Sequence, residues 1–216
     1  ILAIETGVSS DPEMNWRVKE LDNRAILSFS DAHSLPKMGR EATVLKLKVQ
    51  NSKLKVTTMP NYQEIVGALK NSPKSSLEIA YTVEFYPEEG KYHYNGHRAC
   101  NVRQTPEETK QKGEICPVCG RPLTIGAMQR VEELANRSSR ELSITETTVG
   151  AGVKCFQTPG RPSFVKLVPL TEILSEALEV ANTSEKVISE YNNLTSALGS
   201  EFYILLEAPL GKARGG

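Results

Sequence analysis

The chain has 216 residues, 39% hydrophobic and 24% charged, and its 26 basic and 26 acidic side chains cancel. That is room for one large domain or two small ones of ordinary globular composition. It excludes a bulk basic field that would draw nucleic acid, though not a local basic face. No apolar run comes near the ~20 residues of a membrane span, so no membrane partner is expected.

Ile1-Leu2-Ala3-Ile4 opens the chain without Met and already reads as a buried parallel strand running to Glu5. We therefore expect residues upstream, the chain being the C-terminal part of a longer protein. Asp11-Pro12-Glu13 predicts a helix start: Asp11 can cap, Pro12 suits the first helical position, and Glu13 suits the dipole. Trp16, Val18 and Leu21 carry that helix to about Asp22, and Ala25 to Ser30 forms a second short strand. Strand, helix and strand with polar residues at the strand ends is the pattern of α/β folds. In such folds ligands gather at the carboxyl ends of the strands.

Residues 36–56 carry Lys37, Arg40, Lys46, Lys48, Lys53 and Lys55 against the single acid Glu41. This is either a DNA-contacting stretch or a solvated strand face. Val44 to Val49 alternates as an exposed strand, and Tyr62 to Lys70 reads as a short helix. Leu77 to Tyr86 predicts a strand with Leu77, Ile79, Tyr81, Val83 and Phe85 on one face, stopped by Pro87. Thr105-Pro106-Glu107-Glu108 is a capping-box pattern, and Ala127 to Asn136 reads as helix. Residues 137–164, rich in Ser, Thr, Gly and Pro, predict loop with at most one strand. Two amphipathic helices follow, striped by Leu170, Ile173, Leu174, Ala177 and Leu178 and by Val187, Tyr191, Leu194 and Leu198. Thr183 or Ser184 caps the second and Gly199 ends it. Phe202 to Leu206 predicts a last strand, and Gly211 to Gly216 a loose tail.

Three of the four cysteines lie between residues 100 and 119. Clustered cysteines suit an intracellular metal site better than a secreted disulfide framework, so a cytoplasmic location is expected. Cys116-Pro117-Val118-Cys119-Gly120 has the form of one metal knuckle. Its partner cannot be a second C-x-x-C, because Arg103 stands three residues after Cys100. His97, three residues before Cys100, completes H-x2-C-x15-C-x2-C. Zinc takes thiolates and imidazole in one tetrahedral shell, and Cys3His is a closed structural set. We therefore expect a structural Zn2+ on His97, Cys100, Cys116 and Cys119, with Arg103 exposed. Free buried thiols, His93 as fourth ligand, and distant Cys155 are the alternatives.

Ser30-Asp31-Ala32-His33 brings a carboxylate and an imidazole to the end of the second strand. In an extended segment Asp31 and His33 point the same way. Together they could hold one metal or bridge two and generate hydroxide for hydrolysis. The same pattern also suits a helix cap or a turn, and Glu5 and Asp11 could add to a metal set.

The strings AIETGVSSDPEMNWRV, SDAHS and GREA within residues 3–41 resemble the C-terminal part of a PHP (polymerase and histidinol phosphatase) domain. VEFYPEEGKYHYNGHRAC, EICPVCGRPLTIGAMQRVEELANR and PSFVKLVPLTEIL extend the resemblance, which is to the endonuclease Q-like group and covers nearly the whole chain. The resemblance implies a mixed α/β fold: the C-terminal part of a distorted (β/α)7 barrel, then a zinc-binding module and a helical C-terminal region. The corresponding divisions are residues 1–90, 91–125 and 126–216. It implies a divalent metal cluster of Zn2+, Mn2+ or Mg2+, with Asp31 and His33 as the last metal-binding motif and as catalytic residues. The implied activity is cleavage of damaged, deaminated DNA on the 5′ side of a base such as uracil or hypoxanthine, or of an abasic site. The early histidine motifs of that group are absent, so the chain by itself is expected to be inactive. A PHP phosphoesterase acting on small phosphate esters, and a zinc-stabilised nucleic-acid-binding module without catalysis, are the alternative readings.

Overall fold

The computed structural model describes residues 1–48, 59–150 and 152–209. Val49, Lys53, Lys55 and the glycine-rich tail, on which expectations fell, lie outside the described residues. The fold is mixed α/β. Strand β1 (Ala3–Thr6) pairs in parallel with β2 (Ala25–Ser28), with Thr6 opposite Ser28 at their carboxyl ends. Helix α1 (Pro12–Trp16) lies between them, and Asp11 caps it by accepting a 2.9 Å bond from the Met14 N–H. The helix expected to reach Asp22 stops at Trp16. The backbone of Arg17 and Lys19 is engaged instead by Asn136, whose N–H donates to the Arg17 carbonyl and whose side chain accepts from Lys19 N. A short 3-10 turn, Lys19–Leu21, follows.

The second sheet has five strands. These are β3 (Ala42–Leu47), β4 (Leu77–Glu84), β7 (Thr145–Val149), β8 (Val153–Gln157) and β9 (Ser163–Lys166), in the order β3-β4-β9-β8-β7. Pairing is antiparallel except between β4 and β9. Two of these strands, β7 and β8, and the start of β9 come from residues 137–164, expected to be mostly loop. Thr145, Thr147, Thr148 and Val149 supply β-branched residues on one side of Gly150 and Gly152, and Val153, Cys155 and Phe156 suit a strand on the other. The polar composition follows from β7 being an exposed edge strand. Strands β3 and β4 and strands β7 to β9 thus share one sheet, on either side of the cysteine-bearing segment.

Alternation along β8 and β9 builds two cores. Cys155 and Val165 face one way, joined by Val83, Leu167, Leu170, Ile204 and Leu205. Helices α5 (Leu170–Leu178), α6 (Glu185–Leu198) and α7 (Glu201–Leu206) cover this face, with Leu174, Tyr191, Leu194 and Leu198 packed against it. Phe156 and Phe164 face the other way, stacked at 4.8 Å, and Trp16 meets Phe164 edge-on at 5.6 Å. Ile4, Ile26 and Leu142 complete this second core, which seats β1, β2 and α1 on the sheet.

The last strand expected, Phe202 to Leu206, is helix α7. Ser200 caps it by accepting from the Tyr203 N–H, and Ile204 and Leu205 are buried. Glu201 fixes its orientation, accepting from Leu170 N at 2.7 Å and from the Tyr191 hydroxyl at 3.1 Å. Among the described residues no helix is long and apolar enough to cross a membrane.

Candidate metal centre and adjoining cleft

The cysteine segment is built on a hairpin, β5 (Asn95–His97) with β6 (Val102–Gln104). Asn101, at φ 52°, makes the tight turn after the Arg98–Cys100 3-10 turn and so brings Cys100 beside His97. The second knuckle is closed by Cys116 N donating to Arg121 O and by Gly120 N donating to Cys116 O, with Gly120 at φ 70°. That left-handed conformation is one glycine adopts without steric cost. Helices α3 (Pro106–Lys112), which carries the expected Thr105/Glu108 capping box, and α4 (Ala127–Leu134) flank the two knuckles.

Buried Asn95 ties these parts together. Its amide donates to Thr109 Oγ1 at 2.8 Å and Gln129 Oε1 at 3.1 Å, and its oxygen accepts from Gly126 N at 2.7 Å. A side chain at Gly126 would meet the backbone of His93 and Tyr94 at 2.4–2.5 Å, so only glycine fits there. Below the hairpin, Ala127 N donates to Tyr92 O and Met128 N to His93 O, pinching together the chain that enters and the chain that leaves.

One ligand atom from each of His97, Cys100, Cys116 and Cys119 lies within 4.8 Å of the other three, and this group could hold a metal ion. His97 Nδ1 is 3.3 Å from Cys119 Sγ. The donor chemistry fits a divalent cation. Burial opposes ionisation of Cys116, but the N–H groups of Cys119 and Val118 and the His97 ring together bring its thiol well below the usual range. The Cys119 and Cys116 sulfurs in turn push Cys100 up. Three converging thiolates repel one another, and a cation among them removes that penalty. The two alternative ligands are engaged elsewhere: His93 is buried with Nδ1 2.9 Å from Ser9 O, and Cys155 sits in the sheet core. Arg103 is exposed, with its guanidinium 4.1 Å from the centroid of the Tyr94 ring.

The neck of this module borders an open cleft of about 1510 Å³ at the carboxyl ends of β1 and β2, lined in part by Glu5, Asp31, Arg40, Phe85, Lys91 and Tyr92. Sequence placed Asp31 and His33 on an extended segment. The strand instead ends at Ser28, Asp31 has φ 42°, and the His33 ring turns back so that Nδ1 lies 2.8 Å from the Asp31 carbonyl. Both residues are exposed. Asp31 lines the cleft, whereas none of His33, His93 and His97 is among its lining residues.

Sequence reasoning missed two features of this cleft. Arg40 lies flat on the Phe85 ring, 3.5 Å from its centroid, with Glu172 3.6 Å away. Behind it sit two buried carboxyls, Glu41 and Glu84. Burial pushes Glu84 up to about 8, against the pull of the Thr82, Ser28 and Thr6 hydroxyls and with the push of Glu41. Burial likewise pushes Glu41 up to about 7, and the Phe85 N–H draws it down without meeting hydrogen-bond geometry. A pattern of alternating residues gives no sign of such a pair, because Glu84 occupies a position that a half-exposed strand would show to water.

The family model described as the MJ0043 C-terminal domain matches residues 169–215. The uncharacterized protein MJ0043 of Methanocaldococcus jannaschii is 27% identical over 209 residues, 96% of this chain and 23% of that protein. The uncharacterized protein YqxK of Bacillus subtilis is 32% identical over 136 residues, 62% of this chain and 31% of that protein. Among solved structures, the lesion-specific endonuclease PfuEndoQ from Pyrococcus furiosus is 26% identical with a TM-score of 0.74, over 98% of this chain and 46% of that one. Endonuclease Q in complex with a 27-mer duplex substrate, with an abasic lesion at the active site, is 25% identical with a TM-score of 0.75, over 98% of this chain and 47% of that one. The chain thus spans less than half the length of these relatives. In sequence and in fold it is similar, along nearly all of its own length, to part of endonuclease Q.

Proposed function

We propose that this chain is part of a metal-dependent DNA repair endonuclease that nicks DNA on the 5′ side of a deaminated base or an abasic site. The observation that carries the reading is the likeness, over 98% of the chain, to an endonuclease Q complex with an abasic lesion at its active site. In this reading residues 1–90 belong to a PHP-type metal-dependent domain, 91–125 form a zinc-binding module, and 126–216 form the C-terminal region. Strands β7 to β9 of that last region complete the sheet begun by β3 and β4. Asp31 and His33 contribute to a divalent metal cluster whose other ligands lie outside this chain. Such a cluster would supply activation of water and Lewis-acid stabilisation of the phosphodiester. His97, Cys100, Cys116 and Cys119 hold a structural Zn2+, a closed set that leaves no position for water. Arg40 and Lys91, among the acids Glu5, Asp31, Glu89 and Glu172 of the cleft lining, are the cations that would contact a phosphodiester backbone.

The test is a nicking assay of the whole protein on uracil-containing and abasic duplexes, with a chromogenic phosphate ester in parallel. Nicking 5′ to the lesion supports the reading. Turnover of the ester with intact DNA would move the assignment to small phosphate esters.

A further inference from the structure

We propose that Glu84 is a positioning residue of the cleft: it ties the ends of β1 and β2 to the second sheet and so holds the segments that carry Glu5 and Asp31. The inference rests on the reading of the cleft as a nuclease site. Glu84 is 0% exposed and uses both carboxyl oxygens. Oε2 lies 3.1 Å from Thr6 Oγ1 and 3.1 Å from Ser28 Oγ, and Oε1 meets Thr82 Oγ1. Thr6 and Ser28 are register partners and the last residues of β1 and β2. Glu5 directly precedes one and Asp31 follows the other by three residues, and both line the cleft. The Ser28 end is doubly pinned, since Ser28 N donates to Thr43 Oγ1 and Thr43 Oγ1 donates to Ser28 O. One side chain thus joins two sheets at the point where the cleft residues depart.

Protonation of this joint follows from what surrounds it. Glu41 is 2% exposed and stands next to Glu84 across the β3–β4 pairing, one residue beyond the Ala42–Val83 pair. Neither Glu41 oxygen has a hydrogen-bond partner. The charged groups facing the pair are few. Glu5 from β1 adds negative charge. Arg40 draws Glu41 down by its charge, although its guanidinium lies over the Phe85 ring with Glu172 3.6 Å away. Lys166, opposite Glu84 on β9, gives its ammonium to Asp11 at 3.0 Å. Two adjacent buried carboxyls without a dedicated cation cannot both be ionised at low cost. As a neutral acid, Glu84 can give its one proton to either Thr6 or Ser28, which frees that hydroxyl to donate to its carbonyl, Leu27 O or Val83 O, while the other hydroxyl donates to Glu84. The three hydroxyls can equally donate to a carboxylate, so the joint is made whichever form Glu84 takes.

The experiment compares wild type, Glu84→Gln and Glu84→Leu in the whole protein. Two readouts are taken at one pH: nicking of uracil-containing duplex, and hydrogen-exchange protection of amides in residues 4–7 and 27–33. Glu84→Leu, which can bond none of Thr6, Ser28 and Thr82, should lose about tenfold in protection and in kcat. Glu84→Gln, which can still bond those hydroxyls, should fold and keep both within about threefold of wild type. Glu84→Gln as impaired as Glu84→Leu, or a folded Glu84→Leu with wild-type protection, overturns the proposal. Should Glu84→Leu not fold, Thr6→Val and Ser28→Ala, which each remove one bond of the joint, take its place, and wild-type protection in both overturns the proposal. Absence of nicking by wild type with the exchange pattern intact would count against the nuclease reading and not against the joint.

Discussion

The metal knuckles and the cleft are neighbours with opposite designs. The knuckles assemble four ligands within 23 residues of chain, on one hairpin and one loop, each turn set by a left-handed residue. The cleft assembles its walls from residues 5 to 172, beside a buried glutamate that reaches two other segments, the ends of β1 and β2. A site made of local turns is complete wherever the segment is complete. A site made of long-range contacts depends on everything that positions its walls, and in our reading also on ligands outside this chain. Damage to the first should therefore be local and total, and damage to the second graded and dependent on conditions.

The largest effect expected is from Cys116→Ser. Structural zinc contributes on the order of 10 kcal/mol to folding in small modules, so bound zinc should fall from one per chain to near none. Hydrogen exchange should show residues 93–126 unprotected while β4 and β9 stay protected. Zinc retained at the wild-type level would break the comparison. Next is the cleft. Asp31→Ala in the whole protein should lower nicking by roughly two to three orders of magnitude, on the scale of removing a group that stabilises the reacting oxygen, with knuckle zinc unchanged. Because Asp31 sits at φ 42°, alanine there adds about 1 kcal/mol of backbone strain. Asp31→Asn, which tolerates that conformation, separates strain from lost ligation: it should lose nicking equally and stability less.

A smaller effect, on stability alone, comes from the buried acids. With Glu41 up at about 7 and Glu84 at about 8, the folded state keeps protons that the unfolded chain releases above about pH 4.5. The unfolded state then binds fewer protons, so stability is fullest below about pH 4.5 as far as these groups go. It is lost, by a few kcal/mol, as pH rises toward 8. Urea unfolding at several pH values should show this downward slope, reduced in Glu84→Gln; an upward slope would contradict it. Smallest is Arg103→Ala, which removes a cation–π contact worth about 0.5–1 kcal/mol at an exposed site. Zinc content should not change, and a large loss would mean that the ligand set is wrong.

The same contrast decides what a reader of the sequence could see. H-x2-C-x15-C-x2-C states its geometry in its spacing, and the caps at Asp11 and Thr105 state theirs in three or four residues. Phe202 to Leu206 misled because a short apolar run fits a strand as well as a helix. The arbiter was Ser200 with Glu201, whose bonds to Leu170 and Tyr191 come from elements 10 and 31 residues away. The hairpin of β7 and β8 was hidden by its own exposure, since an edge strand rich in Thr looks like loop. Asp31 and His33 were visible as residue types, but their turn was not, because it depends on where β2 ends against β1 and Thr43. Glu41 and Glu84 were invisible as a pair, since only the register of two strands makes them neighbours.

The pinch between Tyr92–His93 and Ala127–Met128 has a consequence in polymer terms. It makes the knuckle module a closed loop whose ends stay tied when its interior melts. The entropy given up by keeping the ends of the melted loop together grows only with the logarithm of its length, and no free end is created from which disorder could run into the sheet. Melting should therefore occur in two steps, the first sensitive to a chelator and the second not, so that one unfolding free energy would not describe the molecule. For the same reason a short linker replacing residues 93–126 should leave strands β4 and β9 paired, because the two sides of the cut already touch.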